Sequence, residues 1–153
     1  MIKIYTDGAA KGNPGPGGYG TILDYKGKRK ELSEGFRNTT NNRMELLAVI
    51  KGLEAIKQDG WEVLVVSDSK YVVDAVEKGW LKNWVAKDFK GKKNRDLWER
   101  FLKVYYRHRV KFRWIKGHAG HSENERCDEL AVDAASQEPH LLKIDKEFER
   151  GTA

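Results

Sequence analysis

EVLVVSD (62–68) places four consecutive apolar residues ahead of a serine and an aspartate. A run this short, rich in β-branched side chains and bounded by helical patterns, suits a strand covered on both faces. On its N-terminal side, NNRMELLAVIKGLEAIKQ (41–58) repeats Leu46, Val49, Ile50, Leu53 and Ile56 at three- and four-residue spacing. That spacing predicts a helix, capped by Thr40 or Asn41 and closed by Gly60. On the other side, SKYVVDAVEKG (69–79) and NRDLWERFLKVYYRH (94–108) predict two further helices, with a short WLKNW element and a basic loop between them. VKFRWIKG (110–117) alternates as a strand, and SENERCDELAVDAAS (122–136) reads as a serine-capped helix with early glutamates.

At the start of the chain, IKIYTD (2–7) alternates as a strand, and GNPGPGG (12–18) is expected to be a tight, rigid turn outside any helix or strand. YGTILDYKG (19–27) and KELSEGF (30–36) predict a hairpin around Gly27. The order is therefore βββαβ, then helices, then βα. It implies an α/β fold, a mixed five-stranded sheet with helices on both faces. One domain is expected over residues 1–136, followed by a polar, weakly attached C-terminal tail over 137–153 that contains Pro139.

The 153 residues suffice for one hydrophobic core. No apolar run approaches the length of a membrane span, and Asp7 with the following Gly/Pro segment interrupts any signal peptide. A single cysteine, Cys127, cannot form an internal disulfide and suits a reducing cytoplasm. The net charge of +6 concentrates in KGKRK (26–30) and KDFKGKK (87–93), pointing to a polyanionic partner, although charge alone fits an ordinary basic protein equally well.

The acids carry the chemistry. Asp7 and Asp68 each end an apolar strand, Glu45 lies near the start of the long helix and Asp128 near the start of the last. If the first and fourth strands are neighbours, Asp7 and Asp68 converge at their carboxyl ends, where ligand sites form in such sheets. Clustered hard oxygen ligands suit Mg²⁺ or Mn²⁺, and a pair of such ions can activate water and stabilise a leaving oxygen. Taken singly, each acid reads as a cap or a salt-bridge partner. Zinc is the competing reading of KGHAGHSENERCDELA (116–131), through His118, His121 and Cys127. Gly117 and Gly120 break that segment into a loop, and Cys127 points about 100° away from Asp128 on a helix. Cys127 is read as a packing residue and the carboxylates as the site.

The stretches YTDGAAKGNPGPGGYG, TTNNRMEL, SDSKYV, NRDLW and KGHAGHSENERCDELA, in this order, resemble the type 1 ribonuclease H family of the bacterial single-domain kind. No separate N-terminal hybrid-binding domain is expected. The resemblance implies endonucleolytic cleavage of the RNA strand of an RNA–DNA hybrid by a two-metal-ion mechanism, leaving 5′-phosphate and 3′-hydroxyl ends. It implies that Asp7 bridges two ions, Asp128 helps hold the water-activating ion, and Glu45 and Asp68 hold the ion at the leaving oxygen. His118 matches the family's mobile-loop histidine, which assists proton movement or product release, and His121 is given only a structural part. Asn13 and Asn41 resemble groove contacts to the RNA strand, and Thr40, Asn42 and Asn94 a pocket for a DNA phosphate. Trp80, Trp84 and Phe89, interleaved with lysines, resemble the basic substrate-handling segment, with Trp98 in the core. A monomer without an obligate protein partner is expected.

Lys70 stands where the family commonly has glutamine. It can reach a phosphate or groove but cannot supply an amide's paired donor and acceptor. The basic segment before Asn94 is short, which shifts hybrid affinity toward Lys87, Lys90, Lys92 and Lys93. Two other classes share these features: a different metal nuclease or strand transferase on the same architecture, and a non-catalytic hybrid-binding module. A cleavage panel of hybrid, duplex RNA and duplex DNA separates them.

Overall fold

The computed structural model describes residues 1–117 and 119–153. Five strands, β1 (Ile2–Ala10), β2 (Gly15–Tyr25), β3 (Lys28–Thr39), β4 (Glu62–Ser67) and β5 (Arg109–Trp114), form one sheet in the order β3-β2-β1-β4-β5. The first three are antiparallel, and β1–β4 and β4–β5 are parallel. The helices are α1 (Asn41–Glu54), α2 (Lys70–Glu77), α3 (Trp80–Ala86), α4 (Arg95–Tyr105), α5 (Ser122–Ala135) and α6 (Lys146–Glu149). The mixed five-stranded sheet matches the sequence reading, and the adjacency of the first and fourth strands, on which the convergence of Asp7 and Asp68 depends, is present.

Helices cover both faces because successive strand residues point opposite ways. Thr21 donates its hydroxyl to Ala48 O of α1 at 2.7 Å, while a Cβ on neighbouring Gly20 would strike Cys127 O of α5. The two layers differ in content. The α1 side holds the large side chains, including Ile4, Leu46, Ile50, Leu53, Trp98 and Phe101, all inaccessible to solvent. The α5 side is built from Cys127, Ala131, Ala134 and Ala135 against the glycines of β2. A Cβ on Gly18 would lie 2.5 Å from Ala131 O, so small residues let α5 approach the sheet at backbone distance.

Several boundaries differ from the sequence reading. GNPGPGG does not stay outside the sheet: after the cis Asn13–Pro14 bond, β2 begins at Gly15. The β2–β3 register shifts between Gly15 and Gly17, and a bulge of this kind is where a strand accommodates a proline such as Pro16. α1 ends at Glu54, capped by Ala55, because the chain turns so that Ile56 enters the core. Gly60 lies beyond it, at positive φ in the connection to β4. Ser122 is the first residue of α5 rather than its cap, a position held by His121.

The C-terminal segment is firmly docked rather than weakly attached. Lys143 bridges to Phe36, and Arg37 N donates to Lys143 O at 2.9 Å. Asp145 accepts from Thr39 Oγ1 at 2.8 Å and from Arg43 Nε at 2.7 Å. Arg43 is buried, and its guanidinium also grips Asp96 at 2.7 Å, tying α1, α4 and the C-terminal segment through one cation. The pattern of apolar residues could not reveal this, because the attachment is ionic. Removing one partner of a buried ion pair leaves an uncompensated charge, so Asp145→Ala is expected to lower stability by about 3 kcal/mol in urea unfolding. An unchanged unfolding midpoint would show that the network contributes nothing.

Candidate active site

The β1–β4 ladder ends at the pair Tyr5–Val66, and Asp7 and Asp68 lie just past it, although β1 itself runs beyond the expected end at Asp7 to Ala10 along β2. Asp7, Glu45 and Asp68 each offer an oxygen within 4.8 Å of the others. Each is held from a different direction. Asp7 accepts from Gly8 N at 2.9 Å. Glu45 is delivered by α1, whose N-terminus is fixed by the Thr40 hydroxyl accepting from Arg43 N at 3.2 Å. Gly8 makes the approach of α1 feasible: a Cβ there would stand 2.4 Å from Glu45 N.

Asp68 sits in a turn shaped by its serines. Ser67 Oγ accepts from Ser69 N at 3.0 Å, and Ser69 Oγ caps α2 by accepting from Val72 N at 3.3 Å. The indole of Trp114 donates to Asp68 O at 3.0 Å, and a Cβ on Gly117 would meet Asp68 Oδ2 at 2.8 Å. Asp128 lies outside the 4.8 Å group but lines the same cleft, together with His121, Asn124 and Glu125. His118 falls outside the described residues.

The electrostatics follow from burial and crowding. Loss of solvation, then the Asp68 charge, pushes the Asp7 carboxyl up to about 7. Burial, then Asp7 and Asp68, holds Glu45 well above the usual carboxylate range, and the hydrogen bond between the two favours the proton on Glu45. Glu45 Oε2 is buried and accepts no hydrogen bond among the described residues. A cluster of hard oxygens, one of them buried and unpartnered, fits a divalent cation such as Mg²⁺ or Mn²⁺. Burial also pushes the Cys127 thiol far up, and its sulfur lies 3.2 Å from Tyr5 O inside the α5 layer, which agrees with a packing role and not with a nucleophile.

Some of the remaining sequence candidates share one cleft. Asn13, Thr40, Asn42 and Asn94 line a common cleft with Lys93, and Phe148, Gly151 and Ala153 of the C-terminal segment form its far wall. Asn41 N donates to Asn13 Oδ1 at 3.0 Å, joining the two groove candidates. Asn94 is buried at positive φ, and its amide is engaged on both ends, by Arg43 Nη1 at 3.3 Å and by Tyr71 OH at 3.0 Å. Lys70 opens α2, with its ammonium 4.8 Å from the centre of the Trp114 ring. Trp80 is 42% exposed at the start of α3, whereas Trp84 is half-buried against Trp98. Phe89 departs from the expected surface aromatic: it is buried in the core, at positive φ in the turn after α3.

Sequence reasoning missed Arg43, Tyr71 and Asn124. The last had a signal, since residues 124 and 128 share one helix face at i, i+4 spacing. Arg43 carried none, because a basic residue in a helical pattern reads as exposed.

The RNase H family pattern matches residues 1–136. A Ribonuclease H of Desulforamulus reducens is 61% identical over 145 residues, spanning 92% of this chain and 90% of its own. A Ribonuclease H of Rippkaea orientalis is 55% identical over 141 residues, spanning 89% of this chain and 86% of its own. Among solved structures, LC9-RNase H1, described as a type 1 RNase H with the type 2 active-site motif, superposes with a TM-score of 0.78 at 32% identity, covering 99% of this chain and 82% of its own. LC11-RNase H1, solved in complex with an RNA/DNA hybrid, gives 0.64 at 31% identity, covering 88% and 96%.

The raised carboxyls set a pH dependence for the metal-free protein. Between the unfolded carboxyl range near pH 4 and about 7 for Asp7, the folded state binds more protons than the unfolded state, so stability falls as pH rises. Asp7→Asn removes that penalty. In the presence of chelator it is expected to melt above the unsubstituted protein at pH 8 and level with it at pH 4. Mg²⁺ is expected to raise the melting temperature of the unsubstituted protein at pH 8 and not at pH 5, where protons compete for the same oxygens. Differential scanning fluorimetry across pH decides both.

Proposed function

The chain belongs to the RNase H family and hydrolyses the RNA strand of RNA–DNA hybrids, and we propose that Asp7, Glu45, Asp68 and Asp128 do so by holding two Mg²⁺ ions. The observation that carries the assignment of residues is the convergence of Asp7, Glu45 and Asp68 within 4.8 Å, with Asp128 across the same cleft. Bound divalent ions would supply an activated water and charge stabilisation of the leaving 3′ oxygen, giving 5′-phosphate and 3′-hydroxyl ends. The chain orients and shields: Gly8, Gly117 and the serine turn hold the oxygens, while His118, through its family match in the sequence, is assigned the carriage of a proton. Mn²⁺ suits the same oxygens.

The hybrid lies across the cleft that Asn13 shares with Thr40, Asn42, Lys93 and Asn94, with Asn41 joined to it through Asn13 Oδ1. Thr40 Oγ accepts from Arg43 N, which leaves its own hydrogen to donate to a phosphate oxygen. Asn94 is committed to Arg43 and Tyr71, so the donors at that corner are the first-turn N–H groups of α4 and the Lys93 ammonium. Asn13 and Asn41 detect the 2′-hydroxyl that distinguishes RNA. Trp80 offers an exposed face to sugar or base, with Lys78 5.4 Å from its ring centre, and Lys70 reaches toward the backbone beside Trp114.

The working form is a monomer in the cytoplasm. Both sheet faces are covered by the chain's own helices, and the edge strand β5 carries Arg109, Lys111 and Arg113, which discourage edge pairing. No helix among the described residues is long and apolar enough to cross a membrane.

Asp7→Asn is expected to lower hybrid cleavage by about 100-fold or more while hybrid binding persists. Chelator should do the same to the unsubstituted enzyme, and duplex RNA and duplex DNA should remain uncut. Undiminished cleavage by Asp7→Asn would defeat the assignment. Lys93→Ala is expected to weaken hybrid binding and reduce the slope of log affinity against log salt by about 1, as for any lost phosphate contact. A slope identical to that of the parent would place Lys93 off the phosphate path.

A further inference from the structure

Asn124 occupies the seam among the three elements that carry Asp7, Asp68 and Asp128. Its Nδ2 donates to Val66 O at 3.1 Å and reaches Thr6 O at 3.5 Å. These carbonyls lie where the β1–β4 ladder stops: the last paired residues are Tyr5 and Val66, and the next residue of β1 is Thr6. Beyond that point β1 runs on to Ala10 against β2 alone, and no β1–β4 backbone pairing fixes the spacing of Asp7 from Asp68, yet the two present oxygens within 4.8 Å of each other. One side-chain amide therefore continues the work of the ladder.

We infer that Asn124 is a positioning residue that sets the separation of Asp7 from Asp68 and ties both to Asp128 on α5. The reading rests on the carboxylate site proposed above. Asn124 and Asp128 are one turn apart on α5, and both line the carboxylate cleft. Two carbonyls flanking Nδ2 fix the amide's orientation, since Oδ1 in that place would face two acceptors. Oδ1 is then directed elsewhere, is buried, and accepts no hydrogen bond among the described residues. Neither an aspartate nor an aliphatic residue could donate to both carbonyls. Support of this kind for groups that hold a metal commonly matters as much as the ligands themselves.

The test compares the full-length protein with Asn124→Ala, Asn124→Ser and, as a control for general destabilisation, Val104→Ala on the far helix α4. Mg²⁺ binding to the metal-free proteins is measured by isothermal titration, alongside steady-state cleavage of a labelled hybrid. Asn124→Ala is expected to weaken Mg²⁺ binding and to lower kcat, each by about 10–100-fold, with KM for the hybrid unchanged. Asn124→Ser, whose hydroxyl can donate to one carbonyl only, should lose less in both. Val104→Ala should lower the melting temperature without moving Mg²⁺ affinity. Asn124→Ala with parental Mg²⁺ affinity and kcat overturns the inference, as does a Val104→Ala control that loses both equally. If Asn124→Ala does not fold, an Asn124→Ser protein identical to the parent overturns it. Absence of Mg²⁺ binding by the unsubstituted protein would instead sink the carboxylate site itself, a different result from failure of the Asn124 role.

Discussion

Mutual repulsion of carboxylates is the constraint on which the structure turns. Two full charges at the 4.8 Å limit of the cluster would repel by on the order of 3–4 kcal/mol at an effective dielectric of about 20. A single hydrogen bond returns only about 1 kcal/mol. No single contact can therefore hold Asp7, Glu45 and Asp68 together. The frame must be stiff from several sides, and the residual repulsion is relieved by protons at low pH or by cations at high pH. The raised carboxyls of Asp7 and Glu45 are the visible result in the metal-free protein.

Stiffness comes from close backbone packing. α1 presses against β1 where Gly8 has no Cβ, and Gly52 leaves room for Ile4 on the same face. α5 presses against β2 where Gly18 and Gly20 leave room for the backbone of Ala131 and Cys127. Larger residues at these glycines would push the helices outward, and Glu45 and Asp128 would move with them. Gly8 and Gly20 thus act on the chemistry without touching it. The Arg43 network works in the same direction, because it locks the first turn of α1 to α4 and to the C-terminal segment.

The mixed sheet and the convergence of Asp7, Glu45 and Asp68 were legible because each rests on a local pattern. Alternation or an apolar run marks the strands, three- and four-residue spacing marks α1, and an aspartate follows the apolar stretch of both β1 and β4. What was illegible depends on partners distant in the chain. Phe89 looks exposed among lysines, yet the turn after α3 folds it into the core. The polar segment 137–153 shows no apolar stripe, and its docking depends on Asp145 meeting an arginine 102 positions away. GNPGPGG was read as a pure turn because glycine and proline punctuate sequences, whereas the bulge that admits Pro16 is a property of strand pairing.

Charge is divided in a way that explains how a basic protein can carry an acidic site. Basic residues crowd the hairpin segment 26–30 and the turn after α3, whereas Asp7, Glu45 and Asp68 stand together, with Asp7 buried. A polyanion drawn by the lysines would meet carboxylates at the scissile position, and without cations its phosphate would be repelled there. Binding and hydrolysis therefore depend on different charges. On the function proposed above, the lysines would set how tightly the hybrid is held and how steeply salt weakens that hold. Without cations the carboxylates oppose a phosphate at that one position, and bound cations would reverse the sign of the cleft. A substitution among the lysines should accordingly alter affinity with little effect on the bound-state rate, and one among the acids should do the opposite.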